Sequence, residues 1–213
     1  MAKKENAVSI VILPPKMESI TVTIEGITPY VQNRFSAKAF NAMKEKQESE
    51  TKEATKKEPK DFQEMYLNAM HRGMNGEYGI PASALRSAMI AACRVTASKM
   101  TMAKLSVFVE ANAADKIDGI PMVKFNDGFE PHYSEHHVRF HGTFDIHARP
   151  MWDPGWRMDV TITFDADVFS RSTVINLLAR AGLQVGVGEG RPFSKDSVGM
   201  GWGTFKLLDE EGK

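Results

Sequence analysis

Polar and apolar positions alternate along residues 17–25. In MESITVTIE, Ile20, Val22 and Ile24 fall on one side and Thr21, Thr23 and Glu25 on the other. That period of two is what a half-buried β-strand requires. Gly26 and Pro29 bend or end it. The period returns in WRMDVTITFDA, where Met158, Val160, Ile162 and Phe164 share a face. Shorter strands are predicted at 7–13, which stops at Pro14-Pro15, and at 105–110, 183–187 and 202–208. HHVRFHGTFDIHARP (136–150) has mixed strand character, and residues 111–135 are turn-rich.

Elsewhere the period changes to that of a helix. In ASALRSAMIAACRV (82–95), Leu85, Ala88, Met89, Ala92 and Cys93 recur at i, i+3, i+4, i+7 and i+8, which makes one apolar stripe. Ser83 is placed to cap this helix, and Arg86 and Arg94 lie off the stripe. A turn at Asn75-Gly76 and a short strand at 78–81 lead into it. In DVFSRSTVINLLARAG (167–182), Val174, Leu177, Leu178 and Ala181 form the stripe. Ser170 or Ser172 caps that helix, and Gly182 stands at its C′ position. NRFSAKAFNAMKEKQ (33–47) predicts a third helix, with Ser36 as N-cap and Phe40 and Met43 on one face.

From 44 to 64 the chain has almost no apolar residues and charges of both signs. A solvated helix end running into a flexible linker, or an exposed protruding loop, is expected there. Too little chain precedes it to make a separate core, so residues 1–213 read as one domain carrying this insertion. Short alternating strands with amphipathic helices predict an α+β fold with a ferredoxin-like or RNA-recognition-like sheet.

The 213 residues carry no net formal charge, with 42% hydrophobic and 25% charged residues, ordinary for a globular domain. No apolar run approaches the roughly 18 residues of a membrane helix, and no secretory cleavage pattern is read, so a cytoplasmic protein without a membrane partner is expected. The lone Cys93 excludes an internal disulfide and a cysteine-based zinc site, and it falls on the apolar stripe of the 82–95 helix. The thirteen methionines read mostly as core filler. Zero net charge does not favour a generic nucleic-acid binder, so the position of the charges decides.

Candidate chemistry concentrates in VGVGEGRPFSKDSVGMGWGTFKL (185–207), which holds six glycines. A dinucleotide fingerprint would open a helix, and a phosphate loop would close on Gly-Lys-Ser/Thr. Neither occurs, so no nucleotide cofactor is expected. Glycine lets a backbone approach another backbone or a ligand closely. Arg191 and Lys195 can neutralise phosphates while Phe193 and Trp202 can stack on bases, the kit of single-strand binding. A long hairpin with buried aromatics is the other reading of these residues. The small residues opening the 82–95 helix leave its N–H groups open to an anion, with Arg86 nearby, or they belong to an ordinary core helix.

His132, His136, His137, His141 and His147 lie within sixteen residues. In a strand an i, i+4 pair is about 13 Å apart, which argues against a metal centre and for exposed or ligand-contacting histidines. Asp159, Asp165 and Asp167 read as a solvated strand face. No hydrolase, metalloprotease or deaminase motif is present.

Two of these pieces together carry a resemblance. YGIPASALRSAMIAACR and GVGEGRPFSKDSVGMGWGTFKL resemble the Pro-Ser helix and the C-terminal glycine-rich loop of the repeat-associated mysterious protein superfamily, the ferredoxin-like RNA-binding subunits of CRISPR complexes. The chain is also similar, nearly end to end, to a widespread family of small proteins of tailed phages and prophages. IEGITPYVQNRFSAKA, KKEPKDFQEMY, YGIPASALRSAMIAA and VINLLARAGLQVGVGEGRP carry that likeness. The superfamily resemblance implies a fold that binds single strands by their backbone, often as a filament of identical subunits, with Arg86, Arg191 and Lys195 as contacts. This chain departs from it in having one long half and in the acidic Glu189 and Asp196 of its loop. It also lacks a clear counterpart of the histidine base of the processing subunits, which leaves RNA cleavage and the choice of RNA or DNA open.

The expectation is therefore a non-enzymatic, phage- or prophage-encoded protein that binds single-stranded RNA or DNA and forms homo-oligomers along it. Arg34, Lys38, Arg86, Arg94, Arg191 and Lys195 would contact phosphates, with Phe193 or Trp202 stacking. The alternatives are an assembly protein that ignores nucleic acid and a metal-dependent nuclease using the 132–147 histidines.

Overall fold

The computed structural model describes residues 13–35, 37–48, 59–140, 143–194 and 199–208. The expected strand at 7–13 lies almost wholly outside these residues, as do the centre of the charged insertion, Ser36, His141, Lys195 and Asp196.

The elements follow in the order β1 (Met17–Gly26), β2 (Tyr30–Val31), α1 (Ala37–Glu48), α2 (Phe62–Asn68), β3 (Gly79–Pro81), α3 (Ala82–Ala92), α4 (Met100–Ser106) and β4 (Val107–Val109). Then come β5 (Ala113–Ala114), β6 (Pro121–Lys124), β7 (His132–Phe140), β8 (Thr143–Trp152), β9 (Arg157–Asp165), α5 (Arg171–Arg180) and β10 (Phe205–Leu207). The protein is a mixed α/β structure. One sheet has the order β10-β1-β9-β4, a second β2-β8-β7 and a third β3-β6-β5, and every pairing is antiparallel.

The alternation read in β1 and β9 sets the register of the main sheet. Ile20 pairs with Ile162, Val22 with Val160 and Ile24 with Met158, all on the face toward the helices. The opposite face is a ladder of polar side chains. Ser19 meets Thr163 at 2.7 Å, Thr21 meets Thr161 at 2.9 Å, and the Thr23 hydroxyl donates to Asp159 at 2.6 Å. A slip of one residue would exchange these faces. Asp159 therefore serves the solvated face, and Asp165 accepts from the backbone N–H of Asp167.

Helices α3 and α5 cover the apolar face. Leu85, Ala88, Met89 and Ala92 of α3, with Cys93 just beyond it, are buried as their spacing predicts, and so are Val174, Leu177 and Leu178 of α5, with Ala181 after it. Each fully buried Leu or Met contributes about 1.5–3 kcal/mol. Tyr30, Phe125, Trp152 and Trp156 form an aromatic cluster, with ring centroids 5.2–5.9 Å apart, that joins the main sheet to the other two.

Several expectations are corrected. Residues 181–185 form a π-helical turn that extends α5 and are not a strand, and Gly186 at φ 71° is the residue that ends the helix. Gly182 is buried in this turn, where a Cβ would stand 2.2 Å from the Phe205 carbonyl oxygen, so its smallness serves packing and not a C′ turn. Ser170 caps α5 as expected, but Ser83 does not cap α3, whose N-cap position is Pro81, without any side-chain cap. The predicted strand at 105–110 is shortened by α4, and 111–135 contains β5 and β6. Helix α1 forms, yet Phe40 and Met43 are more than half exposed.

Candidate functional site

The two segments singled out in the sequence, 78–95 and 185–207, meet in space. Between α3 and residues 185–194 runs an open groove of about 580 Å³. Its helical side presents Ser83, Ala84, Ser87, Ala88 and Ala91, and its other side presents Val185–Gly188, Arg191, Phe193 and Ser194. A second hollow of about 310 Å³ continues it past Ala84 and Arg191 to Gln32, Asn33 and His71. The small residues of α3 follow helical spacing, and this keeps the groove open. Without a side-chain cap, the first N–H groups of α3 have no partner from that source.

The opposite side is shaped by backbone. Gly186, Gly188, Gly190, Gly199, Gly201 and Gly203 all take φ between 69° and 79°, a region L-residues enter at a cost. At Gly188 a Cβ would stand 2.4 Å from the Val31 carbonyl oxygen, and at Gly203 1.8 Å from that of Val187. The segment is stitched to β2 and to itself: Glu189 N–H donates to Val31 O at 2.9 Å, Gly203 N–H to Pro29 O at 2.7 Å, and Val187 N–H to Gly203 O at 3.0 Å.

Of the expected contact residues, Arg191 and Phe193 lie at the groove and Arg94 next to it. Arg191 lines it, and its Nη1 donates to Gly188 O at 2.9 Å. Phe193 is 44% exposed, and the Arg94 guanidinium lies over its ring, 5.3 Å from the centroid. Arg94 itself is exposed. Trp202 packs against the ring of His136, at a centroid distance of 5.0 Å, and over Gly190.

Arg34 and Arg86, expected as phosphate contacts, are engaged by partners within the protein. Arg34 is buried, and its Nε and Nη2 donate to Asp118 at 3.2 and 2.8 Å, with Asp115 3.5 Å away. Arg86 donates to the carbonyl oxygens of Val107 and Lys104 and lies over Phe108, so it ties α3 to α4 and β4. Lys38 lies in α1. Lys195 lies outside the described residues.

Sequence reasoning missed the groups behind the second hollow. His71 is buried, with Nδ1 2.9 Å from the Asp115 carboxylate. Burial pushes the Asp115 carboxyl up, but the Ile117 N–H, His71 and Arg34 outweigh it and hold the group below its ordinary value. Among the described residues, His71, Asp115 and Asp118 are the group whose ligand atoms come within 4.8 Å of one another. The Arg34 guanidinium already answers that negative charge. His71 and Asp115 stand 44 positions apart in sequence with no shared pattern, so only the fold pairs them.

The expected histidine segment forms β7 and β8, with His136 opposite His147. Its histidines take different carboxylate partners: His132 approaches Asp153, His147 approaches Asp145, and His136 approaches Glu189. No three of them form a metal cluster among the described residues. No helix among these residues is long and apolar enough to cross a membrane. No protein-family model and no curated protein matches the chain.

Proposed function

We propose that the groove between α3 and residues 185–194 binds single-stranded nucleic acid by its backbone, without an enzymatic step. One observation carries the reading. The two sequence segments with anion-binding and base-stacking character line one continuous open groove, with Arg191 inside it and Phe193 at its wall under Arg94. Small residues and glycines let a polymer approach both walls, the two arginines answer phosphate charge, and the part-exposed Phe193 ring offers a surface for stacking, worth about 1–3 kcal/mol per base.

The order β10-β1-β9-β4, with α3 between β1 and β4 and α5 between β9 and β10, supports a ferredoxin-like reading of the main sheet. On that reading, the position of 185–204 between α5 and β10 supports likening it to the glycine-rich loop of the repeat-associated mysterious proteins. The motif likeness supports a phage- or prophage-encoded member of that kind, oligomerising along the strand during replication, recombination or defence.

The test is anisotropy with labelled single-stranded RNA and DNA oligonucleotides at 50 and 200 mM salt. Affinity falls as salt rises, with log K losing about 0.7 per neutralised phosphate for each log unit of salt. Arg191→Ala reduces both the affinity and that slope. No binding of either strand at low salt ends the proposal. One observation favours the assembly reading instead: Phe40 and Met43 of α1 are exposed, as is Phe35 just before it. Light scattering that grows with concentration and ignores added oligonucleotide would support that role.

A further inference from the structure

Behind the groove, Glu189 reaches away from its glycine neighbours toward the β7–β8 hairpin. Its Oε2 accepts from Arg149 Nε at 2.9 Å. The remaining Arg149 nitrogens reach Ala148 O at 3.1 Å and His147 Nδ1 at 2.6 Å. The Arg149 side chain is 6% exposed and that of His136 8%. Yet neither ring nitrogen of His136 has a hydrogen-bond partner among the described residues. Glu189 Oε1 stands 3.6 Å from His136 Nε2, within ion-pair reach but beyond a good hydrogen bond.

A buried polar group left in this state costs about 1–3 kcal/mol and asks for a reason. The shape of the occupant supplies one. A planar carboxylate that serves Arg149 with one oxygen falls short of His136 with the other. A tetrahedral phosphate is larger and offers more acceptor oxygens, so it can meet a guanidinium and an imidazole together. Glu189 also lines the open hollow beside Arg191, so rotation about its own side-chain bonds moves the carboxylate into solvent without breaking its backbone bond to Val31.

We propose that Arg149 and His136 form a phosphate-binding site that the Glu189 carboxylate fills in this structure. The phosphate is either a nucleic-acid backbone group arriving through the groove or free inorganic phosphate. For the backbone source the proposal rests on the single-strand reading above, and for free phosphate it stands without it. Glu189 then acts as a resident competitor that weak or wrongly placed anions cannot displace.

Two measurements on the full chain test this. The first is thermal unfolding of wild type, Glu189→Ala and Glu189→Gln in rising inorganic phosphate, against chloride at matched ionic strength. Phosphate is expected to raise the melting temperature of both variants saturably, by several degrees, and that of wild type less. Adding Arg149→Ala to Glu189→Gln abolishes the rise. The second is oligonucleotide affinity, expected to increase about tenfold in Glu189→Gln. If Glu189→Ala fails to fold, the Gln variant alone decides. Wild type that binds oligonucleotide, with variants that gain neither a phosphate response nor affinity, overturns this site and leaves the groove reading standing. A phosphate response without oligonucleotide binding by any form retains the site for free phosphate and ends the groove reading.

Discussion

The two walls of the groove are built on opposite principles. Helix α3 holds its shape through side chains: Leu85, Met89 and Ala92 lie buried against the sheet, so its groove face can consist of serine and alanine. The facing segment holds its shape through backbone. Its glycines sit at positive φ, Gly188 and Gly203 of them against neighbouring carbonyls, and its hydrogen bonds run to Pro29 and Val31. One wall is secured by what its residues bury, the other by what its residues lack. The first tolerates changes of similar apolar volume, and the second tolerates no added atom where the backbone closes on itself.

The largest effect comes from breaking that second rule. Gly203→Ala places a Cβ 1.8 Å from the Val187 carbonyl oxygen at φ 69°. Backbone strain and steric overlap together are expected to cost about 3 kcal/mol or more, read by chemical denaturation. Gly201→Ala, at φ 72° with open space around it, meets only the conformational penalty of about 1 kcal/mol. Equal losses at the two positions would mean that the close approach does not shape the wall. On the helical side, Leu85→Ala is expected to cost about 2–5 kcal/mol through the lost burial and the cavity, while Leu85→Met stays below about 1.5 kcal/mol.

Acid is expected to separate the walls next, by a smaller margin. Burial, then the Arg149 charge, lowers the His147 pKa from 6.5. A histidine with a lowered folded pKa contributes stability that is complete above the unfolded value and falls as pH drops through the folded one. Burial raises the Glu189 carboxyl, but His136 and Arg149 outweigh it and hold it below 4.5. Its contribution is complete above that value and is lost as pH falls toward the folded one. Both groups brace the glycine wall through Arg149. Amide exchange, corrected for intrinsic rate, should therefore show opening at Val187 and Glu189 growing first below about pH 6.5 and again below about 4.5. The amides of α3 should keep their protection longer. Loss of α3 protection first would contradict this division.

What the sequence makes legible follows the same division. Side-chain periodicity identified β1, β9, α3 and α5 because each buries one face, and burial is what a hydrophobic pattern records. The glycine spacing located the second wall but not its form: Leu183, Gln184 and Val185 alternate like a strand and instead continue α5 through a π turn. That choice is made by Gly182 packing under Phe205, a contact distant in sequence. Arg34 carried the charge expected of a phosphate contact, and the fold turns it toward Asp115 and Asp118. Glu189 read only as an acidic departure from the superfamily's loop, and its link to Arg149 and His136 arises only once β7 and β8 pair.

The smallest effect sharpens the comparison most, because it separates stability from binding at a point where the walls touch. Arg94 is exposed just past α3, and its guanidinium lies 5.3 Å from the ring centre of Phe193 on the other wall. An exposed cation–π pair contributes about 0.5–1 kcal/mol, so Arg94→Ala should lower unfolding stability by no more than that. A bridge between walls and a phosphate contact differ in what lysine does. Lysine keeps the charge but loses the flat surface that stacks on a ring. If Arg94 serves phosphate, Arg94→Lys retains most of the oligonucleotide affinity and the salt slope, while Arg94→Ala lowers the slope by about 0.7. If it serves only to hold Phe193, both substitutions act alike: the slope stays at its wild-type value and Phe193→Ala reproduces the loss. A double-mutant cycle on Arg94 and Phe193, read in stability and in affinity, distinguishes the two, with coupling in stability alone assigning the pair to the architecture of the groove.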